Sequence, residues 1–364
     1  MHRYFNAILL AALLASPTAP CLAARHSSVP VSESIVGNDR LPDHDLRLGT
    51  VTVHPDIVYS SIPGYRPLLL DLYLPAGNGR HPLVVFVHGG SWTSGTKRAT
   101  GHYADFPGVL ARLAARGFTV ASVDYRLSSE AKYPAALQDI KASIRYLRAN
   151  ANRFGIDRNR VAVWGASAGA HLAAMAALTG DETSLEPAYG SDPGQSDRVQ
   201  AFVGWYGPYD IPAVFSQAMA APPATVTPTS PEEAAESTGP LNFFGCTMQG
   251  CPPGVLESAS PVNFVDKNDP PALLIHGTAD ATISQDQSIG LYNRLKNAGI
   301  RADLLLIDRV GHSWTGHDRK ATTAASRQAL DATFDWLQRT ISKGTQGTSP
   351  NRIRIRDRYD HLKN

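Results

Sequence analysis

The chain has 364 residues, 43% of them apolar and 18% charged, with a formal net charge of +2. That length leaves room for one large core with insertions. So weak a charge balance argues against nucleic acid or an acidic macromolecule as partner.

At the start, His2 and Arg3 precede an apolar run over 8–14 and a small-residue segment ending Cys21-Leu22-Ala23-Ala24. Residues 1–24 therefore have the form of a cleaved signal peptide. The run is too short to span a bilayer, so the expectation is a secreted or periplasmic protein without stable membrane insertion. Pro20 fits a lipid-anchored Cys21 poorly. Residues 25–47 are polar and patternless, a lead-in segment.

From 48 to 342 strand and helix patterns alternate. Runs at 50–60 and 68–74, parted by Pro63-Gly64, predict an antiparallel hairpin. The continuous apolar run 82–87 reads as a buried parallel strand. An amphipathic helix follows over 103–116, stopped by Gly117, then a strand over 118–123. Over 134–153, Leu137, Ile140, Ile144 and Leu147 recur at helical steps. Strands are expected at 199–206, 271–275 and 302–307, with helices over 285–298 and up to about 341. The pattern predicts an α/β fold, a mostly parallel central sheet with helices on both faces.

The alternation breaks at 181–197 and again at 211–261, and the second stretch is long enough to form a cap or pocket wall. It holds Cys246 and Cys251, the two cysteines left once Cys21 departs with the signal peptide. In an oxidising compartment they read as a disulfide closing a short loop, with two unpaired thiols as the alternative. No histidine or third cysteine lies near enough to complete a metal site. Residues 343–364 lose periodicity, carry Arg352, Arg354, Arg356, Arg358 and Lys363, and read as a solvated, disordered tail.

The centre of the chain is residues 161–171, Val-Ala-Val-Trp-Gly-Ala-Ser-Ala-Gly-Ala-His. An apolar strand runs into a small-residue turn and straight on into an alanine-rich helix, with Ser167 at the apex. Gly165 and Gly169 let strand and helix backbones approach, and the helix N-terminus favours negative charge beside the serine. A serine alcohol needs a base within reach and a carboxylate to orient that base. In chain order these are Ser167, Asp280 and His312, the last two each just past a strand end, as in the α/β-hydrolase arrangement. Asp286 and Asp308 compete with Asp280, and His317 with His312, from less favourable places.

The strand at 82–87 ends in His88-Gly89-Gly90-Ser91-Trp92. Glycines here can turn amide N–H groups into a cavity, so Gly89, Gly90 and Ala168 are the candidate oxyanion donors. His88 sits too early in the chain for the catalytic base and reads as a brace for the loop. His171, in the first turn of the helix, reads as a packing or capping residue.

Six motifs in this order resemble a known family: His88-Gly89-Gly90-Ser91-Trp92, Asp124-Tyr125-Arg126-Leu127, Tyr133-Pro134-Ala135-Ala136, Gly165-Ala166-Ser167-Ala168-Gly169, His276-Gly277-Thr278-Ala279-Asp280 and Gly311-His312-Ser313-Trp314. Together they are similar to the α/β-hydrolase carboxylesterases, above all the bifunctional acetylesterase and feruloyl esterase branch, relatives of hormone-sensitive-lipase-like esterases. The resemblance spans 54–341 and implies the same triad and the same oxyanion donors. Ser91 departs from it, standing where many relatives have a third glycine. The activity implied is hydrolysis of acetyl or feruloyl-type esters, on small molecules or on a polymer, without metal or organic cofactor. An amidase or peptidase, or a catalytically silent binding protein of the same fold, are the rival readings. Trp92, Trp205, Tyr206, Tyr209 and Trp314 flank the strand-end motifs and are candidate pocket residues. Oligomeric state is left open by these patterns.

Overall fold

The computed structural model of the protein describes residues 45–180, 182–186, 192, 194–220, 241–247 and 249–342. The expected signal peptide, residues 25–44 of the lead-in segment, the basic tail and residues 221–240 of the cap stretch lie outside the described residues.

Nine strands form one sheet among the described residues: β1 (Leu46–Leu48), β2 (Val51–Ser60), β3 (Leu68–Leu74), β4 (His81–Val87), β5 (Thr119–Val123), β6 (Ile156–Ala166), β7 (Ala201–Trp205), β8 (Ala272–Gly277) and β9 (Ala302–Ile307). Their order is β1-β2-β3-β5-β4-β6-β7-β8-β9. β1, β2 and β3 pair antiparallel, and β3 joins β5 in the same sense. From β5 through β4 to β9 every pairing is parallel. That decides where a site can form. Parallel strands carry all their carboxyl ends to one edge, so the segments after β4, β6, β7, β8 and β9 meet there.

The helices among the described residues include α1 (Phe106–Ala115), α2 (Ala135–Ala149), α3 (Ala168–Leu178), α4 (Ile211–Ala220), α5 (Val255–Ser258), α6 (Asp286–Asn297) and α7 (Arg319–Ile341). Strand side chains alternate between two apolar layers. Val161 and Val163 of β6 join Leu137, Leu172 and Leu291 in the layer under α2, α3 and α6. Ala162 and Trp164 join Leu110, Leu113 and Leu337 in the opposite layer under α1 and α7.

α2 shows which force sets these helices. Its N-terminal Pro134 offers no side-chain cap, an omission worth about 1 kcal/mol. Leu137, Ile140, Ile144 and Leu147 are each fully buried, contributing roughly 2 kcal/mol apiece. Burial wins. α1 begins at Phe106, three residues later than the periodicity indicates, because the Asp105 carboxylate accepts from the Gly108 N–H at 2.8 Å and caps the helix there.

One strand was not foreseen. β1 falls largely in the stretch read as a patternless lead-in, and its Leu46 and Leu48 are 53% and 41% exposed. An edge strand with its leucines in solvent carries no burial pattern to detect.

Candidate active site

The elbow between β6 and α3 is built by close approach of backbones. A Cβ on Gly165 would press into the Gly169 carbonyl, and one on Gly169 would press into the Val87 and His88 carbonyls. Between them Ser167 stands at φ 54° and ψ −124°, a conformation that costs of order 1–3 kcal/mol. Its own N–H is held by the Trp205 carbonyl at 2.9 Å, and its carbonyl accepts from Ala170 and His171.

Ser167 Oγ–H donates to His312 Nε2 at 3.0 Å, and His312 Nδ1–H donates to Asp280 Oδ2 at 2.7 Å. Asp280 Oδ1 also accepts from the Thr282 and Ile283 amides at 3.0 and 2.9 Å. Burial alone would raise the Asp280 carboxyl, but the hydrogen bonds from His276 and His312 outweigh it and hold the group well below the usual carboxylate range. Asp280 is therefore ionised throughout the neutral range. The competing groups stay apart: Asp308 pairs with Arg309, His317 with Asp318, and Asp286 opens α6.

Gly89 lies against the elbow, where an added Cβ would come 2.8 Å from the Ala166 carbonyl oxygen and 3.2 Å from Ser167 Cβ. Among the described residues, the N–H groups of Gly89 and Gly90 have no hydrogen-bond acceptor. Ala168, first in α3, has no intrahelical acceptor either. All three amides are thus free to serve an oxygen bound beside Ser167. The loop past them is tightly wound, with Thr93 and Ser94 N–H both donating to the Gly90 carbonyl at 3.0 Å. Ser91 and Trp92 take φ of 52° and 60°, unusual for non-glycine residues.

His88 braces this loop. It stacks on Tyr125 at 4.3 Å, and its Nδ1–H donates to the Gly89 carbonyl at 2.7 Å. Burial lowers its pKa, against the opposing effect of that carbonyl. Behind it Asp124 accepts from the Lys97 backbone N–H and ammonium at 2.7 and 2.8 Å, a structural role for an aspartate at a strand end.

The five aromatic residues expected to line a pocket are corrected by their burial, since none exceeds 3% exposure. Trp205 points into the layer under α7, its indole N–H on Thr333 Oγ1 at 2.9 Å. Trp314 packs edge-on against it at 5.3 Å. Tyr209 packs on Phe202 in the opposite layer. Tyr206 lies against the His312 ring at 4.7 Å, and Trp92 donates to His171 Nδ1 at 3.2 Å. These side chains support the site from below; a wide apolar face is more stable in the core than on a rim.

Two histidines matter more than their sequence context indicated. His276 Nε2 faces both the Ile283 carbonyl at 2.9 Å and Asp280 Oδ2 at 3.3 Å, while Nδ1 meets Ser288 Oγ at 2.7 Å. It flanks the carboxylate opposite His312; the available signal was its place in His276-Gly277-Thr278-Ala279-Asp280. His171 packs as expected, and its Nε2–H also reaches the Ala259 carbonyl of the cap stretch at 2.7 Å. That stretch is fastened over the site edge, with Phe243 stacked on Trp92 at 4.7 Å and Lys132 Nζ donating to the Asn242 carbonyl at 2.7 Å. Cys246 and Cys251 are joined within it, their Cα atoms 5.0 Å apart.

The parallel sheet, the serine elbow and the hydrogen-bonded Ser167, His312 and Asp280 at its carboxyl edge define an α/β-hydrolase fold. The family model BD-FAE matches residues 70–295, and the chain belongs to that family. The matched span holds Ser167 and Asp280, with His312 beyond its end. Esterase LipC of Mycobacterium tuberculosis is 35% identical over 217 residues, 59% of this chain and 48% of that protein. Esterase LipQ of the same organism is 30% identical over 287 residues, 78% of this chain and 61% of that protein. The chain thus spans about half to three-fifths of the length of these curated relatives. Among solved structures, the truncated form of a carbohydrate esterase from gut microbiota matches with a TM-score of 0.65 at 27% identity, covering 82% of this chain and 100% of that one. The resemblance read from the six motifs and the expected fold class are borne out.

Proposed function

We propose that the protein is a serine carboxylesterase. The observation that carries this reading is the chain of hydrogen bonds at 3.0 and 2.7 Å through Ser167, His312 and Asp280, set beside unpaired loop amides. Ser167 Oγ attacks the acyl carbon as His312 Nε2 takes its proton. The tetrahedral oxyanion is met by the N–H groups of Gly89, Gly90 and Ala168, each donor worth about 3 kcal/mol of barrier. His312 then protonates the departing alkoxide, leaving an acyl-enzyme. A water, deprotonated by the same imidazole, completes hydrolysis. Asp280 stays ionised, fixes the Nδ1–H tautomer and balances the imidazolium charge.

The acyl group is small or aromatic, of acetyl or feruloyl type, on a soluble ester or a polymer-linked one. The esterase names of the relatives and the carbohydrate esterase among the structural neighbours support this class. Residues 1–24 support export, with the Cys246 to Cys251 bridge formed in an oxidising compartment.

The test is a 4-nitrophenyl ester series from acetate to long acyl chains, with a feruloyl ester beside it. Turnover concentrated on acetate or feruloyl, and lowered by about 10⁴-fold or more in Ser167→Ala, is the expected result. A folded wild-type protein inert on every ester overturns the reading.

A further inference from the structure

We propose that His171 is a positioning residue for the glycine loop: its neutral imidazole ties Trp92 to the Ala259 carbonyl of the cap stretch, and so keeps Gly89 seated against Ser167 and Gly90 in place next to it. An indole N–H can only donate, so the 3.2 Å bond from Trp92 requires a bare lone pair on His171 Nδ1. The proton must then lie on Nε2, where it is donated to the Ala259 carbonyl at 2.7 Å. One tautomer satisfies both partners. The other neutral tautomer and the imidazolium would each set N–H against N–H. His171 is fully buried, with no room to turn away.

Its place on α3 gives the tie its reach. One helical turn past the nucleophile, the His171 N–H donates to the Ser167 carbonyl at 3.1 Å. Backbone and ring of one residue thus hold the two halves of the site. On the loop side, Ser91 and Trp92 sit consecutively in the left-handed region, a conformation that persists only where surroundings enforce it. The Ser128 N–H fixes the Trp92 carbonyl at 2.8 Å, and Phe243 covers the indole face, meeting the His171 ring edge-on at 5.9 Å. The side-chain bond to His171 is what stops the indole from sliding between these two, and Gly90 is two residues away.

The catalytic consequence rests on the esterase reading above; the tie itself does not. The experiment compares wild type, His171→Leu, His171→Gln, Trp92→Phe and the Leu/Phe double variant. Folding is checked by circular dichroism, then 4-nitrophenyl acetate kinetics and amide hydrogen exchange of residues 88–95 are measured. His171→Leu and Trp92→Phe are expected to lower kcat roughly tenfold or more with KM within about twofold, since the donors act chiefly in the transition state. The double variant should lose no more than the worse single. His171→Gln, whose amide can accept from the indole and donate to Ala259, should recover most of the rate. Exchange at Thr93 and Ser94, whose N–H groups are held by the Gly90 carbonyl, should quicken in the Leu and Phe variants only. The proposal is overturned by a folded Trp92→Phe with wild-type kcat and wild-type exchange, by losses carried in KM, or by failure of Gln to rescue. If His171→Leu does not fold, Trp92→Phe decides. If wild type turns over no ester, the esterase reading falls, and exchange at Thr93 and Ser94 alone upholds or overturns the tie.

Discussion

The elbow around Ser167 and the glycine loop at Gly89 and Gly90 stand within contact of each other, and both hold non-glycine residues at positive φ. They are enforced differently. At the elbow, strand and helix backbones pack so closely that two glycines are obligatory, and the contacts that make them so are backbone carbonyls: that of Gly169 for Gly165, and those of Val87 and His88 for Gly169. The loop is held by partners distant in sequence: His171 and Ser128 by hydrogen bonds, Phe243 by stacking. A turn fixed by backbone contact resists most side-chain changes, whereas one fixed by remote side chains can be loosened from several places.

The largest effect that could break this contrast is at the elbow. Gly169→Ala drives a methyl into the Val87 and His88 carbonyls and should cost about 3 kcal/mol or more in urea unfolding, with ester turnover lost alongside. A stable, active Ala variant would remove the elbow half of the comparison.

Acid should find the loop half first. Burial presses the His171 imidazole down to about 4 from its ordinary 6.5, with the Ala259 carbonyl opposing. The unfolded chain accepts that proton near 6.5 while the folded one refuses it until about 4. Stability from this group is therefore complete above pH 6.5 and falls as pH drops toward 4, by at most about 3 kcal/mol. Urea unfolding at pH 7 and 4.5 should show the loss, and His171→Gln should flatten the slope, leaving a residue from His88, whose pKa burial also lowers. Parallel slopes in the two proteins would contradict a neutral buried His171.

The smallest stability change sharpens the contrast most. Gly90 has φ +104°, and an added Cβ would meet the Ser94 carbonyl. Because Ser94 belongs to the half-buried loop itself and not to the sheet, the loop can give way, so Gly90→Ala should cost only about 1–2 kcal/mol. Its kcat should nonetheless fall about 100-fold as an oxyanion donor moves. Equal damage to stability and rate at Gly90 and Gly169 would erase the distinction.

This difference also marks what was legible in the chain. The elbow could be read because its parts are consecutive in the chain: apolar strand, two glycines, serine, alanine-rich helix. The strands and helices could be read for the same reason, with boundaries displaced where a cap such as Asp105 overrides periodicity. Ser167, His312 and Asp280 could be paired because a parallel sheet brings successive strand ends to one edge. The role of Trp92 could not be read, since its partners lie 79 residues on at His171 and farther still at Phe243. Trp205 shows a signal that was present. On β7 it lies opposite Ala166 of β6, and alternation puts it on the same face as Trp164, the layer under α1 and α7 rather than the site. Aromatic residues at strand ends mark a site only after their face has been counted.

The acid of the site has a different kind of independence. Asp280 is gripped by His276, Thr282 and Ile283, and His276 in turn by Ser288, all within one short run of chain. Residues 276–288 therefore carry most of the carboxylate's supports within one run, itself tied to its surroundings through the Thr278 and Ala279 N–H groups and Gln287. Loop swaps between relatives that keep this run whole transplant the carboxylate with these supports, whereas a swap ending between Asp280 and Ser288 leaves at least the Ser288 hold on His276 behind.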